Sequence, residues 1–504
     1  MPPLWRPPEE VSVPTLRLPV IRWQPLLLSM LFFFLALFLG ALIGLGGTRV
    51  IALGLIAIVL FFGLLAYGLR VPSQPVLAAV IALVFVVTLV NPLAEGTTHV
   101  PIGYLFELLC FAWLAGALVQ AWRSYGERPA FRALLLCLAG YFTLSIVSSV
   151  FGRSELFAGI WQFQYNLKWP AMLLIGMLLT FDERQERVLN FFAYWLWLPL
   201  LLAIGVEIAA PVLHAKLLGL TQLDRTPNPL LGFGVRRQSL FQHSSYLALV
   251  SAGLAWLSIV RAVLQRRRAW WVPVLCYVAL LALSGQRQEA MAFAGACLLG
   301  LALLARRQWR LSLIFGLLAL GIAALLAVIF DLTIAQKVLS QWGGGDALAE
   351  RSERYVLTKH GMEIANHWFP LGSGLGTYGG AGAQKFDQSY FYELGFDQYW
   401  WFRLGQFLVD MYWPCVVAEV GWLGGGLLGV AYLVIWFSLL KAIWRGGPAN
   451  SVVWIAIGLL TVNLLNSPTS AAITDPRGAF WMWLLIGAAF AKSMNAGRVP
   501  LGKV

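Results

Sequence analysis

The stretch LFQHSSYLALVSAGLAWLSIVRAVLQRRRAWWVPVLCYVALLALSGQRQEAMAFAGACLLGLALLARRQWR, residues 240–310, decides the architecture. It holds three apolar runs, 240–260, 270–286 and 288–305, parted by an arginine-rich turn at 261–268 and by the tight turn Ser284-Gly285-Gln286-Arg287. A bilayer core about 30 Å thick takes roughly 20 helical residues. Unbroken apolar runs of that length, without strand-like alternation, are read as membrane-spanning helices. Lys and Arg are retained on the cytoplasmic side. Arg261 and Arg266–Arg268 in one loop, and Arg306, Arg307 and Arg310 in the next basic one, therefore mark the inside, and the Ser284 turn faces out.

The same pattern extends in both directions, and the whole chain reads as an all-α polytopic membrane protein of about 14 spans. Besides the three above, they fall at 26–46, 49–69, 75–93, 101–122, 131–150, 165–181, 188–212, 312–333, 414–440, 451–467 and 478–495. The 504 residues are 60% apolar and only 12% charged. Soluble domains carry about 25% charge, so a cytoplasmic enzyme, a secreted disulfide scaffold and a disordered chain are excluded. The net charge of +13 is a topology signal, and nucleic acid is not needed as a partner to explain it. Cys110, Cys137, Cys276, Cys297 and Cys415 are scattered through apolar spans without metal or disulfide spacing. There is no P-loop and no GxSxG.

Five regions follow: a cytoplasmic segment 1–25, transmembrane helices over 26–212, a central membrane region 213–333, an outer loop domain 334–413 and C-terminal transmembrane helices over 414–504. The first 25 residues are Pro-rich and lack a small-residue cleavage site, so span 26–46 is expected to be an uncleaved signal anchor. In the outer domain a helix is expected from Asp346 to about Asn366, ended by Pro370. The glycine-rich PLGSGLGTYGGAG (370–382) and the aromatic YFYELGFDQYWWFRLGQF (390–407) follow, and the whole is read as a folded, partly helical loop lying on the membrane.

Charges on the outer side are not explained by cytoplasmic retention. Arg236 and Arg237 precede span 240–260, Arg287 sits in the Ser284 turn, Lys168 lies near the outer start of span 165–181, and Arg351 and Arg354 share one helix face. Guanidinium at membrane depth costs roughly 2.5–3.5 kcal/mol, so an arginine at the mouth of a bundle calls for an anion, and phosphate fits its fork. Charge-assisted hydrogen bonds return roughly 1.5–3 kcal/mol each, enough for two or three such residues to hold a diphosphate with no metal and no cofactor. Plainer readings stand beside these. Arg287 snorkels to headgroups, Arg236 and Arg237 anchor phospholipid, Arg351 and Arg354 pair with glutamates on their own helix, and Lys168 is interfacial. Asp410 is either a helix cap or an acid–base group, and Glu419, inside span 414–440, an ion-pair partner. His243, His360 and His367 are outer-side candidates for proton transfer or merely packed or solvated. Trp342, Trp368, Trp400, Trp401 and Trp413 form an interfacial belt or platforms for sugar rings.

Three segments together resemble the O-antigen ligase and polymerase family of bacterial surface-glycan enzymes. RRQSLFQHSSYLA (236–248) resembles its Arg-x-x-Gly-x-Phe-x-x-Pro-Asn-x-x-Ala signature, with Ser239, Ser244 and Ser245 in place of Gly, Pro and Asn. LALSGQR (281–287) resembles its Ser-Arg turn, and ERYVLTKHGMEIANHWFPLGSGLGTYG (353–379) its Arg-helix followed by Pro-x-Gly-x-Gly-x-Gly. Ahead of Glu419-x-Gly-x-x-Gly, where ligases of this family carry His-Asn, this chain has Asp410-Met411, a departure that leans towards a polymerase. The resemblance implies a glycosyltransferase C-like fold and a metal-independent, inverting transfer from a polyprenyl-diphosphate-linked glycan donor to a glycan acceptor. The implied setting is the periplasmic face of the inner membrane, among membrane lipids, with a chain-length regulator and a flippase as partners. In that scheme Arg236, Arg237, Arg287, Arg354 and Lys168 bind diphosphate, Arg287 and Asp410 are catalytic, and His243, His360, His367 and Glu419 are secondary candidates. The rivals are a ligase acting on lipid A core or protein and, in another class, a secondary transporter or lipid flippase.

Overall fold

The computed structural model describes residues 74–98, 102–220, 226–305, 353–405, 407–446, 450–468 and 470–495. Among them the chain is helical without a strand, and extended pairing is limited to an isolated bridge between Pro227 and Val235. Helices α1 (Gln74–Thr98), α2 (Ile102–Tyr125), α3 (Pro129–Phe151) and α4 (Leu156–Gly176) follow one another through short turns. Helix α5 (Glu183–Trp195) continues into α6 (Trp197–Ala209), and the short α7 (Pro211–Leu217) leads into an irregular segment. Then come α8 (Ser244–Val263), α9 (Trp271–Ser284) and α10 (Arg287–Ala305). The outer domain contributes α11 (Glu353–His367) and the short α12 (Ala381–Phe386), α13 (Ser389–Glu393) and α14 (Trp400–Arg403). The chain closes with α15 (Tyr412–Gly446), α16 (Ser451–Asn466) and α17 (Pro476–Asn495).

Among the described residues, six helical stretches are long and apolar enough to cross a membrane: Val76–Leu93, Pro129–Phe151, Glu183–Ala209, Ser244–Val263, Arg287–Leu304 and Tyr412–Arg445. Every span expected from residue 75 onward coincides with helix, except 312–333, which lies outside the described residues together with 26–46 and 49–69. The largest shift is in α4, expected over 165–181 but starting at Leu156. Its polar residues are absorbed by protein rather than expelled: Gln162 donates to Asn166 (3.1 Å) and Asn166 to the Tyr141 hydroxyl (3.0 Å). A helix with such partners passes polar residues through the bundle at little cost. Outward faces are apolar, as at Leu136, Val150, Phe157 and Ile160, which is what lipid contact requires.

Helix α8 is the centre of the bundle, buried on all sides between α9, α10, α16 and α17. Trp256 lies directly on Gly458 of α16, its indole donating to the carbonyls of Trp454 (3.0 Å) and Ile455 (3.1 Å). Helices α4 and α17 meet backbone to backbone, with Gly176 against Leu484 and Gly487 against Leu173. Small residues permit this approach, which dispersion then rewards.

The outer domain has its own core, in which Val356, Leu357, Ile364, Tyr378, Phe391, Phe396, Trp401 and Phe402 pack together. It is fastened to α15 by hydrogen bonds from Ser373 N–H to the Ala418 carbonyl (2.8 Å) and from Gly374 N–H to the Glu419 carbonyl (3.0 Å). At the contact point α15 itself breaks, because Gly421 adopts φ 74° opposite Gly372 at φ 78°. A side chain on either would run into the other strand of backbone. The expected helix ending before Pro370 is present as α11, and the expected start at Asp346 lies outside the described residues.

Candidate functional site at one end of the bundle

Short turns between successive helices give the bundle two distinct ends. One holds the basic turns, where Arg261 of α8 is tied to Glu186 of α5 at 2.6 Å. The other holds the α9–α10 turn, the 226–243 segment and the outer domain.

At that second end, Asn228 clamps the 226–243 segment onto the α9–α10 turn. Its Nδ2 donates to the carbonyls of Ala282 (2.9 Å) and Leu283 (3.1 Å), while its Oδ1 accepts from the Leu230 (2.9 Å) and Leu231 (3.2 Å) amides. The Arg237 amide adds a bond to the Leu283 carbonyl at 3.0 Å. Gly285 ends α9 in the left-handed conformation, φ 66°, and the space above it is filled by Arg236, whose Cγ would lie 2.8 Å from a Cβ built there. Arg236 and Arg287 are thereby close enough for their charges to interact. On α10, Glu289 is buried and its carboxylate senses both Arg354 and Arg236. Arg354 also faces Asp410 at 3.9 Å, both side chains being partly exposed. Arg236, Arg287, Glu289, Arg354 and Asp410, from four distant segments, thus gather in one region. Three guanidiniums against two carboxylates leave an excess of positive charge there, suited to a multivalent anion.

The other expected residues are placed differently. Arg237 is held by Glu207 at 3.6 Å, and the Glu207 carboxylate also accepts from the Gln238 (3.1 Å) and Ser239 (3.0 Å) amides, so this pair secures the loop. Lys168 is occupied by a partner within the protein. It is buried in α4 and bonded to Glu107 at 2.7 Å, with its ammonium 4.6 Å from the Tyr165 ring centre. Glu419 is not in an ion pair among the described residues; its Oε1 accepts from the amides of Gly376 (2.8 Å) and Tyr378 (3.4 Å), stapling the glycine loop to α15. His243 caps α8, its Nδ1 accepting from the Ser245 amide at 3.2 Å. His360 pairs with Glu363 at 3.0 Å and packs beside Phe396. Burial holds its imidazole below the ordinary value despite that glutamate. His367 is exposed beside Trp368. Trp401 is buried in the outer core, Trp413 donates to Ser467 (2.8 Å), Trp368 contacts Tyr390, and Trp400 is exposed. Trp342 and Arg351 lie outside the described residues.

Sequence reasoning overlooked Glu289, Glu107, Glu207 and Asn228. The three glutamates carried a usable signal, since an acidic residue within an apolar run needs a partner; the partners themselves lie far away in sequence. It also missed Arg153, which makes a bidentate bond to Glu393 and lies over the Tyr390 ring at 4.6 Å, joining the α3–α4 turn to the outer domain. That contact holds the Glu393 carboxyl below its ordinary range. Among the described residues, no three His, Cys, Asp or Glu side chains are grouped as metal ligands. No protein-family model matches the chain, and no match to it was found among the curated proteins.

Proposed function

We propose that the chain is a membrane glycosyltransferase that polymerises polyprenyl-diphosphate-linked oligosaccharide repeat units at the periplasmic face of a bacterial inner membrane, as an O-antigen or exopolysaccharide polymerase. The observation that carries this reading is the gathering of Arg236, Arg287, Arg354 and Asp410 at the bundle end opposite the basic turns. By the positive-inside rule that end faces outward. Cations concentrated at one end favour an enzyme over a transporter, whose polar groups belong near the midplane between repeated halves.

In the reaction, the acceptor hydroxyl oxygen attacks the donor's anomeric carbon as the bond from that carbon to the diphosphate oxygen breaks. The configuration inverts, and the electron pair departs on the diphosphate. Arg236 and Arg287 receive that growing negative charge, a contribution for which one preorganised donor is commonly worth about 100- to 1,000-fold in rate. Asp410, oriented by Arg354, takes the acceptor's proton, or aligns its hydroxyl while the departing diphosphate takes that proton. Arg237 and Lys168 support the site from their ion pairs rather than by touching the donor.

Arg287→Ala and Asp410→Asn, each expressed in a strain lacking the native chain, test this. Loss of long glycan with single repeat units still attached to the final acceptor supports polymerisation. Long polymer accumulating on the lipid carrier supports the ligase instead, and unchanged glycan in both variants removes these residues from the mechanism.

A further inference from the structure

The scheme above leaves Glu289 unused. Its side chain is 1% exposed, its carboxylate is reached by its own backbone amide and by a long bond from Asn466 Nδ2 to Oε1 (3.4 Å), and its Oε2 has no hydrogen-bond partner among the described residues. A buried carboxylate so thinly solvated is costly unless cations compensate it. The charges that reach it come from Arg236 and Arg354, on two segments outside the bundle. The Nε of Arg236 is likewise buried without a hydrogen bond among the described residues. Arg236 and Arg287 repel each other, and the repulsion grows as water is excluded. Glu289, by contrast, sits on α10, which packs firmly against α16.

We propose that Glu289 is a positioning residue of this site: a buried carboxyl fixed on α10 whose ionised form draws Arg236 and Arg354 together over the end of that helix, so that both guanidiniums already converge when a diphosphate arrives. The inference rests on the diphosphate reading of the site. It explains why an anion-binding mouth has a carboxylate beneath it: without one, the cationic cluster would splay before the ligand came.

The test uses the purified full-length chain in lipid nanodiscs, with farnesyl diphosphate as the probe. Simple electrostatics says that Glu289→Gln, by removing a negative charge, tightens anion binding. Positioning predicts the opposite, a weakening of about tenfold, the scale on which outer supports of a charged site act, with part of the affinity kept in Glu289→Asp. Equal or tighter binding in Glu289→Gln overturns the proposal. A second readout is modification of arginines by phenylglyoxal, mapped by mass spectrometry. Arg236 and Arg354 should become more reactive in Glu289→Gln while Arg153 stays as in the wild type; unchanged reactivity at both also overturns it. If Glu289→Gln does not fold, Glu289→Asp carries both measurements, with intermediate values expected and wild-type values overturning the proposal. Should the wild-type chain bind no farnesyl diphosphate, the diphosphate reading fails, while the reactivity of the two arginines still decides the role of Glu289.

Discussion

Lys168→Met separates a structural role from a ligand-binding one. Lys168 and Glu107 are 6% and 3% exposed and 2.7 Å apart, and Gln164 adds a bond to the other carboxylate oxygen at 3.2 Å. The charge of Asp475, itself held by the Tyr246 hydroxyl at 2.9 Å, acts on the same carboxylate, so deleting the ammonium leaves the buried Glu107 carboxylate without its counter-charge. Breaking a buried pair from one side costs about 3–5 kcal/mol. At roughly 2 °C per kcal/mol for a large chain, the melting temperature should fall by about 6–10 °C. The double variant Lys168→Met/Glu107→Gln removes both charges and should recover most of that loss, because exchanging a whole buried pair is often neutral. Tryptophan fluorescence during thermal unfolding in detergent follows both. A Lys168→Met protein that melts within about 2 °C of wild type, while losing affinity for farnesyl diphosphate, refutes the structural assignment and returns Lys168 to the anion site.

Gly487→Ala should destabilise by about 1–3 kcal/mol through overpacking, because its Cβ would lie 2.8 Å from the Leu173 carbonyl carbon. Gly205→Ala, with open space around it, should be neutral or stabilising in the same melt. Glu419→Leu strips the acceptor from the Gly376 amide and should cost about 1–3 kcal/mol, speeding proteolysis within 370–380, whereas Glu419→Gln keeps an acceptor and most of the stability. For His360, the folded state binds its proton less readily than the unfolded chain. Its stabilising contribution is therefore complete above the unfolded imidazole's pKa and is lost as pH falls through the lower, folded value. Melting curves between pH 7 and pH 5 should decline more steeply for wild type than for His360→Gln.

Single residues show where local reading succeeds and where it stops. Arg287 stands out in the sequence as a cation in a turn where cytoplasmic retention gives no reason for it, and α9 and α10 do flank that turn. Arg237 looked identical in sequence to Arg236. One faces Glu207 and the other lies across Gly285, a distinction set by how the 226–243 segment folds over Asn228. Glu419 suggested a missing cation, but the donors turned out to be backbone amides of the glycine loop. Hydropathy starts α4 too late because it treats Gln162 and Gln164 as exposed to lipid, whereas their partners belong to the same helix and to α2.

Composition and apolar run length determined by themselves that this chain is a bundle of long apolar helices, and the spacing of arginines determined which turns share an end. Both follow from short-range physics: the cost of an unpaired backbone amide or a charge in hydrocarbon depends on little beyond a stretch of about 20 residues. Which charges meet was decided only by tertiary structure. Arg236, Arg287, Glu289, Arg354 and Asp410 are spread over much of the chain, and Coulomb forces act on distance in space, which helix packing sets and sequence spacing does not.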